Sequence, residues 1–102
     1  MLARTRHIVT NISQPGFPDY VRLQFDELRD RWALLAPEKV YWPDDISVAI
    51  LSRCSGTKTV SEIILDLAEE YQAPVDEIGP DVREFLQEWS DRLVIRCGWG
   101  QA

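Results

Sequence analysis

The sequence is poor in the residues that carry chemistry. It has one histidine, His7, and two cysteines, Cys54 and Cys97. His7 has no other ligating or catalytic side chain near it in sequence, so a metal or acid–base role finds no partners there. The cysteines form neither a C-x-x-C pair nor a Cys/His cluster, which excludes the usual zinc and dithiol patterns. No glycine loop that could cradle a phosphate is present, since Gly98 and Gly100 precede no helix. Basic residues are outnumbered, 11 against 17 acidic ones, for a net charge of -6. That deficit excludes a typical phosphate-backbone binder, whose affinity comes from clustered Lys and Arg. It suits partners that are neutral or locally basic. No apolar run approaches the roughly 20 residues needed to span a bilayer. Arg4, Arg6 and His7 interrupt any secretory core in residues 1–14. The expectation is a soluble cytoplasmic protein with free thiols and no resident metal or cofactor.

What is present is a patterned chain of 102 residues, long enough for one domain that buries roughly two thirds of its unfolded surface. Residues 1–19 carry scattered charge, no period, and the break Pro15-Gly16-Phe17-Pro18. They read as an arm or linker outside the core. Val21, Leu23 and Phe25 alternate with Arg22, Gln24 and Asp26, the period of a half-buried strand. Residues 27–30 are a turn. Residues 32–35 are a second strand, closed by Pro37. Val40, Tyr41 and Trp42 make a third, stopped by Pro43. The connections are too tight for parallel crossovers, so the sheet is antiparallel.

The period then changes. Asp44 or Asp45 can cap a helix whose apolar face contains Ile46, Ala49, Ile50 and Cys54, with Gly56 as its stop. Thr59-Val60-Ser61-Glu62 is a capping box. Val60, Ile63, Ile64, Leu67, Ala68 and Tyr71 follow at helical spacing. Pro80 suits the first position of a third helix, with residues 76–79 as lead-in. Val82, Phe85, Leu86, Trp89 and Leu93 form its stripe. Residues 94–97 are a short final strand, and residues 98–102 a loose tail. The fold class is α+β and winged-helix-like: a three-stranded antiparallel sheet followed by three helices.

No catalytic constellation emerges. Asp44 and Asp45 are accounted for by helix capping, and Glu69, Glu70, Glu84 and Glu88 by solvated faces. Glu88 and Arg92 have ion-pair spacing. The tryptophans and Tyr41 could stack bases, but no basic groove surrounds them. What remains is a short third strand beside helices, and an unpaired strand edge is a receptor for an extended peptide.

Several stretches, in order and at matching spacing, resemble the PqqD family: residues 22–26 (RLQFD), 34–38 (LLAPE), Gly56 ahead of Thr59-Val60-Ser61-Glu62-Ile63, and Asp81-Val82 followed by Phe85-Leu86. The resemblance covers residues 20–97. It implies a non-catalytic chaperone that binds the precursor peptide PqqA and presents it to the radical S-adenosylmethionine enzyme PqqE in pyrroloquinoline quinone biosynthesis. In some members the domain is fused behind PqqC. It further implies that the peptide adds antiparallel to the third strand, here Lys39, Val40, Tyr41 and Trp42, against the third helix. The helix would offer Phe85 and Leu86, with Arg83 and Ser90 on one flank. The same kind of domain serves other modified-peptide pathways, which is the alternative. A winged-helix nucleic-acid binder is the remaining one, disfavoured by acidity. The chain departs from the family pattern at Pro43, after the third strand. It also has no glycine after the third helix, at Asp91-Arg92-Leu93.

Overall fold

The computed structural model describes residues 8–98. Its elements run β1 (Gln14–Gly16), β2 (Arg22–Asp26), β3 (Arg31–Ala36), β4 (Lys39–Tyr41), α1 (Asp45–Leu51), α2 (Val60–Tyr71), α3 (Val75–Asp91) and β5 (Arg96–Gly98). Strands β2, β3 and β4 form an antiparallel sheet in that order, and the three helices follow it, as the sequence period implies. In the β2–β3 loop the Asp26 carboxylate accepts from the backbone N–H groups of Leu28 and Arg29 and from the Arg29 guanidinium. Those bonds hold its pKa below the ordinary carboxylate value. The β3–β4 turn has only Pro37 and Glu38 in its loop. Proline presets the first turn residue and Glu38 takes the left-handed conformation at φ 64, a type II arrangement.

Register places Leu23, Leu34 and Tyr41 side by side across the sheet. Leu34 is fully buried and joins the helical stripes in one core. From α2 come Val60, Ile63, Ile64, Leu67 and Ala68, and from α3 Val82, Leu86 and Trp89. Asp44 caps α1 by accepting from Ser47 N–H. Two expectations about α1 change. Ile46 is exposed, and the side chain buried instead is Leu51. The helix ends at Ser52, so Gly56, at φ 85, serves the following loop and not the stop. Helix α3 begins at Val75, with Pro74 as its N-cap, and Pro80 lies inside it. This is tolerable because a proline in the second turn deletes a single i→i−4 bond close to a helix end.

The N-terminal segment differs most from expectation. Val9 and Ser13 are buried and Pro15 is fully so. Strand β1 pairs with β5 in a second, two-stranded sheet, with Pro15 opposite Cys97. Three carbonyls of the segment accept from the helical layer: Pro15 from Gly56 N–H, Ser13 from Val60 N–H, and Asn11 from Ser61 N–H. Residues 9–18 are therefore packed structure and not a loose arm. A three-residue strand containing proline and glycine has no period to read, and its partner lies at the other end of the chain. Residues 1–7 and 99–102, which include His7, Trp99 and most of the expected tail, lie outside the described residues.

Candidate functional site

Strand β4 is the outer strand of its sheet, and its far edge has no partner among the described residues. The two-residue turn decides which groups face that edge. Ala36 and Lys39 close the turn as a hydrogen-bonded pair, and the antiparallel ladder alternates from there. Leu34 and Tyr41 form the next hydrogen-bonded pair. Val40 lies between them, so its N–H and C=O point outward to the open edge.

The two faces of β4 differ. Tyr41, in register with Leu34, faces the helices and meets Trp89 of α3 edge-on at 5.0 Å between ring centroids. Phe85, one turn earlier, tilts onto Trp89 at 5.5 Å. Aromatic pairs of this geometry add about 0.5–1.5 kcal/mol beyond their burial. The Tyr41–Trp89 pair pins the edge strand to the C-terminal half of α3, and Phe85 backs Trp89 from the same helix. Cations complete the cluster. Lys39 Nζ lies 5.3 Å from the Tyr41 ring centroid. Arg92 lies 5.0 Å from that of Trp89 and 5.9 Å from that of Tyr41. Arg92 also pairs with Glu88 at 2.6 Å. On the opposite face, Trp42 sits just past β4 with Arg29 and Arg31 at 5.4 and 5.1 Å from its ring.

Of the residues singled out from the sequence, Lys39, Val40 and Tyr41 form β4, Trp42 directly follows it, and half-buried Phe85 stands on the adjoining flank of α3. The others stand elsewhere. Leu86 is fully buried in the core and Ser90 is also buried, so neither presents a contact surface. Arg83 lies on the other flank, where its guanidinium donates to Asn11 Oδ1 at 3.1 Å. Gln87 on that flank accepts from Val9 N–H at 2.8 Å. The N-terminal segment thus covers the side of α3 turned away from β4. Trp89 and Arg92 are cluster members that sequence reasoning left out. Their spacing was the available signal: Trp89 is four residues beyond Phe85, and Arg92 three beyond Trp89.

Neither thiol belongs to the cluster. The two thiols lie in the core, where burial pushes Cys54 up to about 12 and Cys97 up to about 11. Cys54 donates to Ile50 C=O at 3.4 Å. Among the described residues no three His, Cys, Asp or Glu side chains gather where a metal could bind. No helix among them is long and apolar enough to cross a membrane.

Residues 31–95 match the family described as coenzyme PQQ synthesis protein D (PqqD). This stretch includes β3, β4 and all three helices. The "PqqA binding protein" of Rhodopseudomonas palustris strain BisB5 is 49% identical over 84 residues, 82% of each chain. The solution structure of the PqqD truncation of Methylobacterium extorquens PqqCD, described as a functional and stand-alone RiPP recognition element, superposes with a TM-score of 0.73. It is 35% identical, over 86% of this chain and 94% of that one. The crystal structure of PqqD from Xanthomonas campestris gives a TM-score of 0.55 at 38% identity, over 86% and 98% of the two chains.

Proposed function

Because the chain belongs to the PqqD family, we propose that it is a non-catalytic binding domain that takes up a PqqA-type precursor peptide as an added strand along β4. The observation that carries this reading is the outer edge of β4, which has no partner among the described residues and is anchored to α3 by Tyr41 on Trp89. Strand addition draws affinity from main-chain hydrogen bonds and specificity from alternating side-chain contacts. The Val40 N–H and C=O supply two bonds, each worth about 0.5–1.5 kcal/mol net. Micromolar binding needs about 8 kcal/mol, so side-chain contact must contribute most of the affinity. Exposed Val40 and Trp42 are available on one face, and half-buried Tyr41 and Phe85 on the other.

In this reading the domain delivers the peptide to the radical S-adenosylmethionine enzyme PqqE and does no chemistry itself. The domain alone leaves the peptide unmodified. Added to the enzyme at peptide concentrations below the enzyme's own affinity, it raises the yield of cross-linked product. Equal yields with and without it would count against this step.

The direct test is titration of PqqA into 15N-labelled protein. Amide shifts are expected at Lys39, Val40, Tyr41 and Trp42, and around Phe85 and Trp89. Shifts confined to α2, with residues 39–42 unmoved, would overturn the strand-addition reading.

A further inference from the structure

The helix-facing side of β4 carries charge opposite in sign to that of the chain. The protein has a net charge of -6, yet two cations gather over one aromatic ring at this edge. Lys39 and Tyr41 share a face of the strand, in register with Ala36 and Leu34. Lys39 Nζ lies 5.3 Å from the Tyr41 centroid, and Arg92 approaches the same ring at 5.9 Å from α3. Lys39 forms no salt bridge among the described residues. Arg92 has one, to Glu88, and that glutamate is more than half exposed. An exposed i,i+4 pair is worth little, and a guanidinium has five donors, so Arg92 keeps capacity for a second carboxylate. Trp89 and Phe85 wall the cluster from the helix side.

We propose that Lys39 and Arg92, set over Tyr41, read an acidic side chain of the bound peptide. The carboxylate would come from a peptide residue whose side chain points toward α3 as the peptide lies along β4. With β4 only three residues long, one such residue reaches both cations, which makes the contact a register mark as well as an attraction. The inference rests on the peptide-binding reading above and adds to it the chemistry of one recognised side chain.

The test uses 15N-labelled full-length protein, PqqA, and a set of PqqA variants in which each Asp or Glu is replaced singly by its amide. Binding is measured to wild type and to the Lys39→Gln and Arg92→Gln proteins. One amide-substituted peptide should bind wild type roughly tenfold more weakly, the size of a charge-assisted hydrogen bond. The same substitution should cost distinctly less on Arg92→Gln and on Lys39→Gln than on wild type, the signature of direct coupling. Affinity for the parent peptide should fall as salt rises, and less steeply for Arg92→Gln. Glu88→Gln, which frees Arg92, should bind the parent at least as tightly as wild type. If the parent peptide shifts residues 39–41 but every amide-substituted peptide binds within about twofold, the acid-reading proposal fails and the peptide-binding reading stands. An Arg92→Gln loss that is equal for all peptides also overturns it, because the arginine then acts only by packing. If the parent peptide produces no shifts at residues 39–41, both readings fall.

Discussion

The stretch after α3, Asp91-Arg92-Leu93, has no glycine, and the structure shows that Leu93 occupies a position that favours one. Helix α3 ends in a Schellman motif: Val94 N–H returns to Trp89 C=O and Leu93 N–H to Ser90 C=O. The residue between must be left-handed, and Leu93 has φ 66. A side chain with a Cβ is strained there by about 1–2 kcal/mol, while the Leu93 side chain is mostly exposed and contributes little. Leu93→Gly should therefore stabilise the protein by about 1 kcal/mol, partly offset by the entropy glycine adds to the unfolded chain. A urea midpoint that falls would refute this. Gly16 is the opposite case. A Cβ placed on it would sit 3.1 Å from the Gly56 backbone, so Gly16→Ala must push β1 away from the α1–α2 loop. The thiols give a residue-scale pH prediction. Their pKa values are raised from 9.0 to about 12 and about 11, so the fold favours the neutral forms. Their contribution is complete below pH 9 and is lost as pH rises through about 11–12. Iodoacetamide at pH 8 should label both cysteines quickly in urea and slowly in the native protein. Equal rates would show that the thiols are accessible.

At the scale of elements, what could be read from sequence was what local periodicity specifies. The alternation of Val21, Leu23 and Phe25, the Pro37 turn, the capping box and the stripe of α2 each depend on neighbours a few residues away. All of them translate into observed structure, except that Phe25 at the end of the alternation and Tyr71 at the end of the α2 stripe are exposed. The capping box illustrates how local and distant contributions combine. Of the first four N–H groups at the start of α2, Thr59 is bound by Glu62 Oε1 and Glu62 by Thr59 Oγ1, while Val60 and Ser61 are bound by carbonyls of Ser13 and Asn11. The sequence motif accounts for half, and the N-terminal segment for the other half. Thr59→Ala should destabilise the protein by about 1 kcal/mol, readable as a shift in thermal midpoint. The site was legible to the same degree. Strand β4 and the place of Phe85 on a helical stripe follow from local pattern, their joint role as a site only from the resemblance, whereas the flank of α3 that faces β4 depends on which side the N-terminal segment covers. No pattern in residues 81–92 specifies that. The edge also yields a paired test. Val40→Pro removes an outward donor and should leave the fold nearly intact while weakening peptide binding roughly tenfold. Tyr41→Pro breaks a ladder bond to Leu34 and should damage the sheet itself.

For the whole molecule, the decisive feature is that the two ends of the described chain meet. Strand β1 pairs with β5 after the entire domain has intervened, and residues 9–18 close the helical layer from outside. Sequence reading expects residues 1–19 to be dispensable, because their charge and proline content show no period. The contacts reverse that expectation. Deleting residues 1–18 removes Val9 and Pro15 from the core and exposes the Cys97 side of β5. It also leaves Gly56, Val60 and Ser61 without their carbonyl acceptors. Burying a side chain of the size of valine is worth about 1.5–3 kcal/mol, and each lost hydrogen bond about 0.5–1.5 kcal/mol where water replaces the partner. The sum is several kcal/mol, a large share of the 5–15 kcal/mol that holds a typical domain together. The truncated protein should therefore unfold at a much lower urea concentration, or be largely unfolded at 25 °C. A second variant lacking only residues 1–7 leaves each of these contacts in place and is the reference against which the loss from residues 8–18 is measured. If the protein lacking residues 1–18 unfolds at the same urea concentration as the full chain, the N-terminal segment does not carry the stability that its contacts imply.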